Sequence, residues 1–186
     1  MNSIVGPCSA QSREQMIIST QNAFDRGFRW HRGNLWKPRT VPGFEGVGLD
    51  GLPWIRDVAQ IGLNPATEVL TPGQAYFVVD EVIKHSGTDR EVMIWIGSRN
   101  QNHIELRRIA DAIAGEPRAK LLLKNPMWHG NGEMKKHWIG EVEHAVSGGA
   151  GREQIILCER GTQAGKGQDT LGYRNIPDRK LSMEVK

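Results

Sequence analysis

Short apolar runs recur along this chain, and stretches with helical spacing separate them. Three of the runs end at a cation: residues 93–98 precede Arg99, residues 121–123 precede Lys124, and residues 155–159 precede Arg160. Short apolar runs that alternate with helices are typical of parallel strands, which are covered on both faces. The pattern therefore predicts a parallel α/β fold with positive charges at the carboxyl ends of several strands.

A further pair of cations lies in the segment Lys37-Pro38-Arg39-Thr40. In barrels built from parallel strands, the carboxyl ends of the strands carry the chemistry. Cations that converge there repel one another unless an anionic ligand neutralises them. We therefore expect a ligand that is phosphorylated, carboxylated or both.

Six strand–helix alternations can be placed on the sequence. The strands are predicted at residues 4–8, 28–36, 66–70, 92–96, 120–123 and 154–158. The helices are predicted at residues 12–27, where Ser12 is the expected N-cap, and at 52–61, 74–85, 103–114 and 138–146. Residues 180–186 have the pattern of the opening turn of a further helix. Alternation of this kind indicates either an open parallel sheet or a barrel.

Composition excludes several classes of protein. With 186 residues the chain can bury the core of one domain, whereas a complete eightfold barrel typically takes ~250. The net charge is +3 and no run of five basic residues occurs, so no nucleic-acid surface is expected. No apolar run approaches the ~20 residues that span a membrane, and no leader pattern is visible, so we expect a cytoplasmic protein without a membrane partner.

Eight motifs along the chain match one enzyme family in order and in approximate spacing. They are Gly6-Pro7-Cys8-Ser9, Lys37-Pro38-Arg39-Thr40, Phe44-Glu45-Gly46-Val47-Gly48, Ala66-Thr67-Glu68-Val69, Trp95-Ile96-Gly97-Ser98-Arg99, Lys124-Asn125-Pro126, Trp138-Ile139-Gly140 and Tyr173-Arg174-Asn175. In these motifs the sequence resembles the 3-deoxy-D-arabino-heptulosonate 7-phosphate (DAHP) synthases. The resemblance implies a TIM (β/α)8 barrel, here an incomplete barrel of about six β/α units. It also implies that residues 1–186 are the N-terminal two-thirds of one catalytic barrel domain.

The reaction implied by the resemblance is the first step of the shikimate pathway, which leads to the aromatic amino acids. It condenses phosphoenolpyruvate with erythrose 4-phosphate and water, and it gives DAHP and phosphate. Such a reaction needs cations around two phosphates and a carboxylate. The implied partners are these two small molecules, and a full-length chain is expected to form a homo-oligomer.

The resemblance assigns six residues to the phosphoenolpyruvate site: Arg32, Lys37, Ser98, Arg99, Lys124 and Arg160. Arginine suits this site because its planar guanidinium meets a phosphate or carboxylate through two hydrogen bonds, whereas lysine acts as a point charge. Any one of these cations alone would be interpreted as a surface charge or a structural ion pair. Their recurrence at strand ends favours a shared anion site.

Arg39 and Thr40 match the family's erythrose 4-phosphate site. Pro38 restricts the local backbone, so the charged side chains on either side of it can face different substrates. The ordinary alternative is a turn without a ligand.

Glu68 matches an acidic residue near the reacting centre, where it is expected to orient water. As a lone carboxylate at a strand end it would equally suit an ion pair with a neighbouring cation. The predicted catalytic residues are therefore Lys37, Lys124 and Glu68.

Cys8 matches the family's metal-binding cysteine. A thiolate beside histidine and carboxylate ligands suits a divalent metal such as Mn, Fe, Co or Zn. A cysteine at the end of a strand is otherwise most often a small apolar side chain, which is how we interpret Cys158. The six histidines lack the spacing of paired metal ligands, so none of them is nominated.

No residues match the family's remaining metal ligands, which are a histidine, a glutamate and an aspartate on later strands. Catalytic metal sites generally need three protein ligands, so we expect the 186-residue chain to be inactive alone. We also expect the first and sixth strands to be open edges. Two alternatives stay open: a 3-deoxy-D-manno-octulosonate 8-phosphate synthase or another phosphoenolpyruvate aldol enzyme, and a non-catalytic anion-binding remnant.

Overall fold

A computed structural model shows the architecture of most of the chain. It describes residues 3–38, 42–98, 100, 102–126, 133–159, 162–163 and 175–176. The helix predicted to open at residue 180 lies outside the described residues. None of the helices in the described part combines the length and the apolar character that a membrane span requires.

Six parallel strands form one sheet in the order of the sequence. They are β1 (Ile4–Val5), β2 (Trp30–Arg32), β3 (Asn64–Glu68), β4 (Val92–Ile96), β5 (Ala119–Lys124) and β6 (Ile155–Cys158). The five helices that connect them are α1 (Arg13–Asp25), α2 (Leu52–Ile61), α3 (Pro72–His85), α4 (His103–Asp111) and α5 (Glu133–Ser147). Because such crossovers are right-handed, all five helices cover the same face of the sheet. The sheet curls into half a barrel, and the predicted incomplete barrel of about six β/α units is confirmed.

Short elements complete the described structure. Two 3₁₀ helices span Gly48–Gly51 and Arg152–Gln154, directly before α2 and β6. A separate antiparallel pair is formed by β7 (Thr162–Gln163) and β8 (Asn175–Ile176). In the six-stranded sheet as described, β1 and β6 are the outer strands, as predicted.

Strand boundaries follow the prediction most closely where the strand is most apolar. β4 spans the predicted residues 92–96, and all five of its residues are buried. β3 was predicted at residues 66–70, which is wrong: it begins at Asn64 and ends at Glu68, because Thr71 caps the next helix and the chain must turn before it. β1 is shorter than predicted because Gly6 has φ +126°, a left-handed conformation that ends the extended chain.

The two faces of the sheet carry different cores. Alternate side chains of β4 and β5 pack outward against the helices, as Ile94 and Leu121 do. The inner face holds a smaller apolar cluster around Met93, Trp95 and Leu122. This inner cluster lines the interior of the half-barrel.

Side-chain caps fix where the helices start after the strands. Ser12 accepts a hydrogen bond from the Gln15 backbone N–H at the start of α1, as predicted. Thr71 caps α3 in the same way, and Asn102 accepts from two backbone N–H groups of α4. Such caps satisfy helix donors that have no partner within the helix, and each contributes about 1 kcal/mol.

His31 links the sheet to helix α1 through polar contacts inside the core. It lies in the middle of β2 and is fully buried. Its Nε2 is 3.0 Å from Ser19 Oγ and its Nδ1 is 3.3 Å from Thr20 Oγ1. Burial lowers the pKa of His31 to about 4 from the ordinary value of 6.5.

Stability should therefore fall as the pH is lowered from about 6.5 to about 4. In this range the unfolded chain binds a proton on His31 that the folded chain does not bind. The free energy of unfolding should decrease by roughly 3 kcal/mol across the window from this group. Above pH ~6.5 the histidine is neutral in both states and adds no pH dependence.

Urea denaturation at several pH values measures this effect. His31→Gln should remove this part of the pH slope, whereas His85→Gln, which changes an exposed histidine, should keep it. An unchanged slope in His31→Gln would show that other groups cause the acid sensitivity.

Candidate anion site at the carboxyl ends of the strands

Strands β2, β3 and β5 each end on a charged residue, which is Arg32, Glu68 and Lys124 respectively. In the parallel pairing, Glu68 stands opposite Trp95 on β4, and Lys124 stands opposite Cys158 on β6. Because alternate residues of a strand share a face, these side chains belong to the inner face of the sheet. The structure thus gathers both signs of charge at one edge of the half-barrel.

One buried indole ring brings the two cations together. Arg32 Cζ lies 5.9 Å and Lys124 Nζ lies 4.6 Å from the centre of the Trp95 ring. These distances are within the range of attraction between a cation and an aromatic face. Two cations from strands that are not neighbours therefore contact the same side chain.

Glu68 is oriented by its neighbours on two sides. Asn34 Nδ2 donates a hydrogen bond of 3.2 Å to Glu68 Oε2. On the other side the carboxylate packs against Gly97, where a Cβ would overlap Glu68 Oε1. The carboxylate thus occupies space that a side chain at position 97 would need.

The loop after β2 positions Lys37 through backbone hydrogen bonds. Lys37 N donates to Glu45 O at 2.7 Å, and Leu35 N donates to Thr67 Oγ1 at 3.1 Å. Gly46 has φ +102° and lies so close to Leu35 O that no Cβ fits there. These contacts hold the half-buried Lys37 at the edge where the strands end.

The remaining predicted anion ligands are described only in part. Ser98 follows β4 by two residues and is buried. Four predicted residues, which are Arg39, Thr40, Arg99 and Arg160, lie outside the described residues. The structure therefore brings Arg32, Lys124 and Glu68 together, and leaves the role of each a prediction.

Cys8 follows the carboxyl end of β1 and is exposed. Two residues later, Ala10 N donates to Asn34 O at 3.0 Å, which fixes this loop beside the loop after β2. Within the described ranges no group of three histidine, cysteine, aspartate or glutamate residues is arranged to hold a metal ion. These residues therefore do not fit a metal centre by themselves, and Cys8 supplies one thiolate at most.

Two features of the site, Asn34 and Trp95, were not anticipated from the sequence. Asn34 was not nominated because amides are common in loops, and its partner Glu68 is 34 residues away. Trp95 was noted only as part of a motif, because its contacts with Arg32 and Lys124 depend on the strand register. Cys158 packs against the inner apolar cluster, as its interpretation as a small apolar side chain requires.

A group of histidines between α4 and α5 was also missed. The His103 ring centre lies 4.6 Å from that of His144 and 6.0 Å from that of His137. Burial, and then the proximity of His144 and His137, lower the pKa of His103. Sequence spacing gave no signal, since the contact joins two separate helices.

Comparison with known proteins points to one family. A sequence profile described as the DAHP synthetase I family matches residues 1–182. A curated phospho-2-dehydro-3-deoxyheptonate aldolase of Thermotoga maritima is 30% identical over 160 residues, which cover 85% of this chain and 42% of the relative. A crystal structure from Thermotoga maritima under the same name, also called DAHP synthase, has a TM-score of 0.76 and 27% identity, and the match covers 99% of this chain and 48% of that one.

A more distant structure shares the fold alone. Dihydropteroate synthase from Thermus thermophilus has a TM-score of 0.55 and 14% identity, over 90% of this chain and 61% of that one. The chain spans less than half the length of its curated relative and of the first of these solved structures.

The contact between Gly97 and Glu68 gives a direct test of the site's packing. Gly97→Ala must push the carboxylate away from Asn34, so the free energy of unfolding should fall by roughly 1–2 kcal/mol in urea denaturation. Gly73→Ala is the matched control, because nothing lies within 4 Å of a Cβ there and the position is helical.

A double-mutant cycle identifies the cause of that loss. In a Glu68→Ala background, Gly97→Ala should cost little, since the overlapping carboxylate is gone. The same loss in both backgrounds would contradict the proposed overlap.

Proposed function

The chain belongs to the DAHP synthetase I family, and we propose that it acts in the condensation of phosphoenolpyruvate with erythrose 4-phosphate. One observation carries the proposal: Arg32 and Lys124 both contact the Trp95 ring at the carboxyl ends of the strands. Glu68 lies opposite Trp95 on the neighbouring strand. A site of this kind suits a ligand with several negative charges.

Arg32 and Lys124 are assigned to the phosphate and carboxylate of phosphoenolpyruvate. The guanidinium offers paired N–H donors to an oxyanion, and the ammonium adds a point charge. Ser98, which is buried two residues after β4, is assigned to the same site through its backbone N–H. The family resemblance adds Lys37, Arg99 and Arg160 to the proposed ligands.

The proposed reaction forms a bond between C3 of phosphoenolpyruvate and the aldehyde carbon of erythrose 4-phosphate. Water adds at C2, and the bond from C2 to the phosphate oxygen breaks. Glu68, held by Asn34, is assigned to accept the proton of that water. Lys37 and Lys124 are assigned to stabilise charge on the aldehyde oxygen and on the leaving phosphate, and one of them is assigned to donate a proton to the aldehyde oxygen, which becomes a hydroxyl.

The second substrate and the metal rest on the family resemblance. Arg39 and Thr40 are the proposed ligands of erythrose 4-phosphate, next to the anchored Lys37. Cys8 is proposed as one metal ligand, and any further ligands would come from outside the described residues. On the same basis we propose a cytoplasmic location and a homo-oligomer when the chain is full length.

Charge removal at the two ends of the same strands tests the anion site. Arg32→Gln and Lys124→Gln should each weaken phosphoenolpyruvate binding by roughly tenfold or more in titration calorimetry, because each removes a charged hydrogen-bond donor. Arg29→Gln and Lys120→Gln are matched controls from the amino ends of β2 and β5, where the cations lie 3.2 Å and 3.6 Å from Glu91. Equal weakening in both pairs would indicate a general charge effect and would contradict the proposed site.

Turnover measurements test the expected inactivity of the 186-residue chain and distinguish the two sugar phosphates as substrates. We expect the 186-residue chain to bind phosphoenolpyruvate without consuming it, because none of its residues match the histidine, glutamate and aspartate that the family resemblance implies as further metal ligands. Phosphate release is measured with erythrose 4-phosphate and, in parallel, with arabinose 5-phosphate, in the presence of divalent metal. Turnover with erythrose 4-phosphate would overturn the expected inactivity, whereas turnover with arabinose 5-phosphate would favour the octulosonate alternative.

A further inference from the structure

Trp95 carries a buried hydrogen-bond donor that nothing in the described structure accepts. The side chain is 2% exposed, and its Nε1–H has no hydrogen-bond partner among the described residues. Buried N–H groups are nearly always paired, because leaving one unpaired costs the free energy of its desolvation. An unpaired donor in a candidate binding site therefore indicates an acceptor that arrives with a ligand.

Two cations contact the ring that carries this donor. Lys124 Nζ is 4.6 Å and Arg32 Cζ is 5.9 Å from the ring centre, and Nε1 belongs to the same ring system. An anion that reaches both cations must therefore come close to the indole. Glu68 stands opposite Trp95 on β3, but its carboxylate accepts from Asn34 and not from Trp95 Nε1.

An unpaired indole donor alone would not single out Trp95. Trp138 on α5 is fully buried, and its Nε1–H also lacks a partner among the described residues. In the described part of the chain, however, the cation contacts with tryptophan rings are those of Trp95. Trp138 therefore serves as an internal control that has the orphan donor without the cations.

We propose that Trp95 is a further ligand of the anion site. Its Nε1–H donates a hydrogen bond to an oxygen of the phosphate or carboxylate that Arg32 and Lys124 bind, while its ring holds those two cations in place. The inference rests on the proposed function, since it takes the same anion as its ligand. It adds a neutral donor that neither the family motif nor the charge pattern assigns.

Nuclear magnetic resonance of the indole groups tests the hydrogen bond directly. The chain contains six tryptophans, and the indole signals of Trp95 and Trp138 are assigned as those lost in Trp95→Phe and Trp138→Phe. The wild-type chain is titrated with inorganic phosphate, phosphoenolpyruvate and pyruvate, with sodium chloride at matched ionic strength as the control. We expect the Trp95 indole proton to shift downfield and to saturate, while the Trp138 signal stays in place.

The choice of probe shows which end of the ligand Trp95 contacts. A shift with phosphate but not with pyruvate supports the proposal with the phosphate group as acceptor. A shift with pyruvate alone supports it with the carboxylate as acceptor. Trp95→Phe, which keeps an aromatic ring but lacks the N–H, should weaken phosphoenolpyruvate binding by roughly fivefold to tenfold, and Trp138→Phe should leave it unchanged.

The remaining outcomes overturn the inference in distinguishable ways. If phosphoenolpyruvate binds and the Trp95 signal does not move, the inference fails while the proposed anion site stands. If Trp95→Phe folds and binds as tightly as the wild type, Trp95 is not a ligand. If none of the probes binds the wild-type chain, the inference and the proposed function fail together. Should Trp95→Phe not fold, the wild-type titration decides, with Trp95 assigned by exclusion from the other five Trp→Phe variants.

Discussion

Alternation of side chains along parallel strands is the constraint on which the rest of this structure depends. Each strand sends every second residue outward to the helices, so the last inward position of each strand opens onto one shared edge. Arg32, Glu68 and Lys124 occupy such positions because the register is staggered by two residues from strand to strand: Arg32 pairs with Ala66 and Glu68 pairs with Trp95, which in turn pairs with Leu122, two residues before Lys124. A shift of one residue in any of these strands would exchange the charged side chain for one of the outer core.

Charges of like sign at this edge need compensation from within the fold. Arg32 and Lys124 both contact the Trp95 ring, and Glu68 on the neighbouring strand supplies a negative charge. A ring of this size also excludes water, so charges beside it interact more strongly than they would at an open surface. The arrangement is therefore suited to hold a polyanion, and family membership gives that anion its proposed identity.

The sequence indicated the fold more fully than it indicated the site. β4 was predicted to its boundaries because its burial appears as a continuous apolar run, whereas the start of β3 at Asn64 was missed because polar residues there are buried by tertiary contacts. Lys124 was identified from the apolar run before it, and Arg32 from the family resemblance. Contacts between separate elements, such as Asn34 with Glu68 and His103 with His144, produce no periodic pattern in the sequence and could not be predicted from it.

Asn34 connects the loop after β1 with the charged residue at the end of β3. Its backbone carbonyl holds the loop that carries Cys8, and its side chain holds the Glu68 carboxylate. A displacement of the Cys8 loop that moves this backbone also moves the donor that orients Glu68. Any free-energy coupling that this connection carries between the Cys8 loop and Glu68 must be reciprocal. One residue, Asn34, thus ties the backbone around the first strand to the orientation of the Glu68 carboxylate.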